Sequence, residues 1–225
     1  MILYVCENAN GATAPDNAEG LTLSERLLRK ASLDYAQRRG IDLGSEPEFR
    51  LARNSHGKPY FDEPSLFDVH FSLSHSGRYW AALFHGTPVG CDIEDISASG
   101  RRGAYASERF ERIAARVFSP DEREYVARSE GSVDVKERFF EIWTRKEAYM
   151  KYTGMGFSQM PERFSTVAQI PGVDDIRPDG RVYDERGQAV RGVALSGVFI
   201  GEDVRCAYCR AADAEVREIP KICVF

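Results

Sequence analysis

Twice along this chain a stretch with helical spacing of apolar residues gives way to several short alternating segments punctuated by glycine, and that repeated order narrows the folds open to it. In the first half, Thr22-Leu23-Ser24-Glu25 offers capping residues ahead of Leu27, Leu28, Ala31, Leu33 and Tyr35, which predicts a helix over 23–39 ended by Gly40. Short strands are expected at 1–6, 48–52, 70–73, 79–84 and 88–93, with turns at Gly57, Gly77 and Gly86. In the second half, 107–118 reads as a helix, Ser119-Pro120-Asp121-Glu122 as the cap and first turn of another, and 135–152 as a longer helix ended by Gly154. Strands follow near 163–169, 181–183, 193–200, 204–211 and 216–219. The fold class is therefore α+β, with two similar lobes over 1–95 and 96–225 and Ser97-Ala98-Ser99-Gly100 as the linker.

A chain of 225 residues, 43% hydrophobic and 29% charged, can bury one large core or two small ones, which excludes a disordered or fibrous class. The opening apolar run stops at Glu7 without a basic leader, so no signal peptide is expected. No stretch approaches the roughly 20 apolar residues of a spanning helix, so no membrane partner is expected either. Five thinly spread cysteines in a chain too long to need staples fit a reducing cytoplasm. Cys206 and Cys209, three apart on a strand and without a second pair, read as buried free thiols in preference to a zinc site. A net charge of −5 argues against nucleic acid as a partner. Basic residues do gather at Arg26, Arg29, Lys30, Arg38 and Arg39, and again at Arg101, Arg102, Arg109, Arg112 and Arg116, where surface solvation explains most of them.

Four short constellations carry chemistry. In Gly90-Cys91-Asp92-Ile93-Glu94 the strand alternation puts both carboxylates on one face, where they repel unless a cation sits between them. A hard cation such as Mg2+ with oxygen ligands would relieve that repulsion, whereas an exposed edge strand would leave both to water. Along 139–151, Trp143, Glu147 and Lys151 follow at intervals of four and share a helix face. Glu147 and Lys151 could form a mere surface pair, but Phe140 and Trp143 demand burial and place Glu147 at the rim of a packed surface. Phe71-Ser72-Leu73-Ser74-His75-Ser76-Gly77 enters a turn, with Phe71 and Leu73 facing the core and the serines opposite. Hydroxyls, turn N–H groups and an imidazole suit a phosphate cradle, and a histidine without a role is the plainer alternative. Finally, His56-Gly57-Lys58-Pro59-Tyr60 fixes a lysine beside a rigid proline.

In this order the four motifs resemble the Sfp-type 4'-phosphopantetheinyl transferases: GKP at 57–59, SLSHS at 72–76, G-x-D-x-E at 90–94 and W-x-x-K-E-x-x-x-K at 143–151, running on to Gly154-Met155-Gly156-Phe157 and Arg163-Phe164-Ser165. The resemblance implies a pseudo-dimer of two similar α/β lobes, each a helix packed on a mostly antiparallel sheet, with coenzyme A in the cleft between them. It implies Mg2+ on Asp92, Glu94 and Glu147, and CoA phosphate contacts from Lys58, Ser74, His75 and Lys151, with Arg29 at the nucleotide end. Glu147 and Lys151 would be the catalytic pair, transferring the phosphopantetheine arm to a serine of an apo acyl- or peptidyl-carrier protein. A monomer would suffice. Where larger members carry basic residues ahead of the first helix, 8–20 has no Lys or Arg, so Arg26, Lys30 or His56 is expected to take the 3'-phosphate. The face of Arg109, Arg112 and Arg116 is expected to receive the acidic carrier. A Mg2+-dependent phosphodiesterase and a non-catalytic CoA-binding protein are the competing classes.

Overall fold

Strand β1 (Ile2–Cys6) is buried almost end to end, so it needs a neighbour on each side. It takes β5 (Tyr79–His85) antiparallel on one edge and β11 (Lys221–Val224) parallel on the other. β4 (His70–Ser76) folds back on β5 through a turn at Gly77, whose φ of +53° is one a side chain resists, and completes the order β11-β1-β5-β4. Helix α1 (Leu23–Arg39) has the expected bounds: Thr22 and Glu25 form a reciprocal capping box, and Gly40 ends it in the left-handed region. Its Leu27, Leu28, Ala31 and Tyr35 pack on Tyr4, Trp80 and Phe84 of the sheet. The computed structural model describes residues 1–9, 21–44, 49–62, 69–97, 104–129, 132–212 and 220–224.

A second sheet of order β6-β10-β9 is built from β6 (Val89–Asp95), β10 (Val204–Ala211) and β9 (Val193–Phe199), all antiparallel. Leu3, Leu83, Cys91, Ile93 and Cys206, drawn from both sheets, share one buried cluster. On the other face of the second sheet lies α4 (Ser132–Thr153), whose Ala148 and Met150 pack with Leu195, Ala207 and Cys209. The pattern of a helix on a mostly antiparallel sheet thus occurs twice, α1 on one and α4 on the other. Each sheet also borrows a strand: β6, which follows β5 directly in the chain, pairs with β10, and β11 pairs with β1.

Two short helices, α2 (Ala104–Val117) and α3 (Pro120–Ala127), brace α4 through Phe110, Phe118, Phe139 and Phe140. α3 opens with Pro120 behind a Ser119/Glu122 capping box, as the sequence suggested. The hairpin of β2 (Leu51–Arg53) and β3 (Pro59–Phe61) and the pair β7 (Ser165–Gln169) and β8 (Ile176–Tyr183) complete the elements. β3 and β11 were not expected, and β8 begins five residues before 181–183. Position 48, residues 98–103, most of the 8–20 loop and the strand expected at 216–219 lie outside the described residues.

α4 is anchored from below by a closed ion pair. Lys146 Nζ stands 2.6 Å from Glu122 Oε2, the two side chains 1% and 0% exposed. Every remaining lone pair finds a donor: Ser119 N–H on Oε2, and the N–H and hydroxyl of Thr166 on Oε1. Lys146 also donates to the Phe164 carbonyl and lies over its ring. Burial draws the Lys146 ammonium below its ordinary value, while the Glu122 charge holds against it.

Candidate active site

The geometry starts at a residue without a side chain. A Cβ built on Gly90 would stand 2.0 Å from the Ala148 carbonyl oxygen and 2.3 Å from the Tyr152 nitrogen. The α4 backbone therefore rests directly on β6, and the residues preceding those two contacts, Glu147 and Lys151, are carried onto the face of β6 that bears Asp92 and Glu94. The sequence marked Gly90 only as part of a motif, not as the spacer that sets this approach.

A cavity of about 580 Å³ opens there, lined by Ser74, His75, Asp92, Glu94, Trp143, Glu147 and Lys151 among others. Lys151 Nζ bonds Asp92 Oδ1 at 2.6 Å, and its side chain remains 28% exposed to the cleft. The same Asp92 oxygen accepts the Ser74 hydroxyl at 2.6 Å, whereas Oδ2 is buried with no hydrogen-bond partner. Burial, then the Asp92 charge, pushes Glu94 up to about 7; Ser76 and Trp143, both hydrogen-bonded to it, oppose the rise. Glu147 is likewise pushed up to about 7 by burial and by Asp92, with Lys151 opposing. Burial works most strongly against the Lys151 ammonium, but Asp92, Cys91 and Glu147 together outweigh it and leave the lysine above its ordinary value. Three carboxylates face one ammonium, so the cluster carries surplus negative charge that only a further cation or protons can offset.

The remaining candidates stand around this centre. His75 is exposed at the cleft wall, within β4 and two residues before Gly77. Lys58 lies in a smaller adjoining cavity that Glu147 and Lys151 also line, and its Nζ donates to the Val89 carbonyl at 2.9 Å. Burial draws this lysine down to about 8. Its turn is closed by Asn54, whose Oδ1 accepts from His56 and Lys58 and whose amide donates to the Gly154 carbonyl at the end of α4. Arg29 is placed apart, exposed, with its guanidinium 5.7 Å from the Phe49 ring in a neighbouring cavity that shares Glu25, Leu28 and Leu51 with the first. Ser72 and Ser74, expected to face outward, are buried at 3% and 7% and bond to β6.

A model of the 4'-phosphopantetheinyl transferase superfamily matches residues 88–209, the span from β6 through α4 to β10. The chain belongs to this superfamily. A 4'-phosphopantetheinyl transferase of Bacillus subtilis is 30% identical over 176 residues, 75% of this chain and 70% of the relative. The gsp transferase of Aneurinibacillus migulanus is 37% identical over 135 residues, 60% of this chain and 48% of the relative. Sfp of Bacillus subtilis is 30% identical over 118 residues, 52% and 47%. The aligned part of the chain spans about half the length of the last two relatives. A solved holo-(acyl-carrier-protein) synthase from Bacillus anthracis, in complex with CoA (3',5'-ADP), superposes with a TM-score of 0.37 at 17% identity, over 55% of this chain and 93% of that one.

Whether this phosphopantetheinyl transferase can hold a divalent cation is decided by its donor set. Among the described residues no three His, Cys, Asp or Glu side chains form a ready-made metal shell. The oxygens nonetheless suit a hard cation: Asp92 Oδ2 is orphaned, and Glu94 and Glu147 are held above the usual carboxylate range by burial and then by the Asp92 charge. The residues fit the ion. All five cysteines are free, Cys206 and Cys209 buried in different clusters on opposite faces of β10.

Proposed function

We propose that this transferase moves the 4'-phosphopantetheine arm of coenzyme A onto a serine of an apo acyl- or peptidyl-carrier protein, releasing 3',5'-ADP. The observation that carries the reading is the meeting in one cleft of Asp92 and Glu94, from a strand, with Glu147 and Lys151, from a helix and more than fifty residues further along the chain. Asp92, Glu94 and Glu147 are assigned to Mg2+, which when bound would neutralise diphosphate charge. Lys58, His75 and Lys151 are assigned to the CoA phosphates. Ser74 joins them only by exchanging its bond to Asp92, since its one proton is already donated. Arg29, over Phe49 in the adjoining cavity, takes the nucleotide end. Arg26, Lys30 or His56 serves the 3'-phosphate, and Arg109, Arg112 and Arg116, exposed along α2, face the carrier.

The carrier serine oxygen bonds to the β-phosphorus of CoA as the bond from that phosphorus to the 5'-phosphate oxygen of 3',5'-ADP breaks. Glu147 receives the serine proton, directly or through a water. Lys151 is assigned to the negative charge that grows on the departing oxygen. Residues 1–95 supply the CoA contacts and the acidic strand, and 96–225 supply α4 and the carrier face. The reading makes the protein a cytoplasmic monomer that needs neither nucleic acid nor membrane. No helix among the described residues is long and apolar enough to cross one.

Incubating the protein with CoA, Mg2+ and an apo-carrier protein should add one phosphopantetheine mass to the carrier, and Glu147→Gln should abolish that gain while CoA still binds. Release of free phosphopantetheine with an unlabelled carrier would instead make the chain a phosphodiesterase, and CoA binding with neither product would make it a binding protein.

A further inference from the structure

β6 is the outer strand of its sheet, and its free edge does not ladder with β4. It is gripped instead by hydroxyls at every second position of that strand. Ser72 Oγ accepts the Cys91 N–H at 3.0 Å, Ser74 Oγ donates to Asp92 Oδ1 at 2.6 Å, and Ser76 Oγ donates to Glu94 Oε2 at 2.5 Å. The period of two along β4 matches the period of two that sets Asp92 and Glu94 on one face of β6, so hydroxyl and carboxylate meet in register twice. A carboxylate on a strand is free to turn about its own bonds. A donor on one oxygen fixes the plane and leaves the other oxygen aimed. At Asp92 the outcome is visible, with Oδ1 shared by Ser74 and Lys151 and Oδ2 left buried and bare.

We propose that Ser76 is a positioning residue in a comb on β4, where Ser74 and Ser76 hold the β6 carboxylates in the orientation a divalent cation requires and Ser72 ties down the strand backbone at Cys91. The inference rests on the metal reading above. Ser76 is the member to test, because it lines the neighbouring cavity and is assigned to no phosphate. Outer partners of metal ligands typically contribute roughly 10–100-fold to metal affinity.

The probe is Mn2+, its free concentration read by electron paramagnetic resonance, with and without CoA and in the absence of any carrier. Ser76→Ala should bind Mn2+ roughly 10-fold more weakly at an unchanged thermal midpoint. Ser76→Thr, which keeps the hydroxyl, should restore binding, and Ser76→Cys, of similar volume but a weak donor, should fall between. In the transfer assay the Ser76→Ala deficit should appear at limiting Mg2+ and vanish at saturating Mg2+, a pattern that loss of packing would not give. Mn2+ affinity equal to the wild type, a deficit that excess Mg2+ leaves in place, or a wild-type protein that binds Mn2+ under neither condition overturns the proposal. A wild-type protein that binds Mn2+ but labels no carrier removes the functional reading, while the comb still stands or falls on the Ser76 affinities.

Discussion

Lys146 and Lys151 of helix α4 stand five residues apart, and each reaches a carboxylate at 2.6 Å, yet the two pairs have opposite characters. Lys146 and Glu122 are saturated: one charge of each sign, every lone pair met, no solvent. Lys151 and Asp92 are unfinished, with one oxygen bare, two further carboxylates pushed up to about 7 and a cavity above them. A closed pair fixes where a helix sits. An open one stores an imbalance that a ligand can complete. The difference explains how one helix is rigidly docked on its lower side and chemically available on its upper side.

The largest expected effect comes from opening the closed pair. Lys146→Met strands the Glu122 carboxylate in the core, and equilibrium denaturation should show a loss of about 3–5 kcal/mol. At the open pair the consequence should fall on chemistry instead: Asp92→Asn should lower transfer roughly 100-fold or more, equivalent to about 2.7 kcal/mol, while its stability stays within about 1 kcal/mol of the wild type, since a surplus negative charge is removed. Equal destabilisation by both substitutions would erase the distinction between the pairs. Third, Mg2+ at ten times its dissociation constant should raise the free energy of unfolding by about 1.4 kcal/mol, and chelation should remove the gain. At one fixed Mg2+ concentration the gain should be larger at pH 8 than at pH 6, because protons compete for Glu94 and Glu147 below their raised values near 7.

The smallest effect concerns Lys58. Its folded value of about 8 lies below the 10.5 of an unburied lysine, so the free protein loses this charge as pH rises through 8. An anion bound beside it raises the value again, so binding takes up a proton and CoA affinity should fall roughly 5–10-fold between pH 7.5 and 9. Calorimetric titration of Lys58→Met should give a flatter pH profile.

Much of this was readable from local pattern. The capping box at Thr22 and Glu25 and the stop at Gly40 fixed α1 to the residue, and the spacing of Trp143, Glu147 and Lys151 put all three on the cleft face of α4. The alternation at 90–94 correctly turned both acids the same way. What escaped was whatever depends on pairing between distant segments. The serines of 72–76 have the same alternation whether their hydroxyls meet a ligand or a neighbouring strand, and only the packing of β4 on β6 decides. The three-residue strand β3 and the four-residue β11 are too short to carry a periodic signal. Nor does composition reveal that Glu122 and Lys146 find each other, or that a glycine at 90 is there to admit a helix backbone.

The borrowed strands have a bearing on how the molecule can be taken apart. Because β6 is laddered to β10 and β11 to β1, two pieces expressed separately, divided around residue 100, would each lack an edge that the other supplies. Such fragments would be expected to recombine by mutual complementation, restoring the cleft only on encounter and so reporting their own proximity.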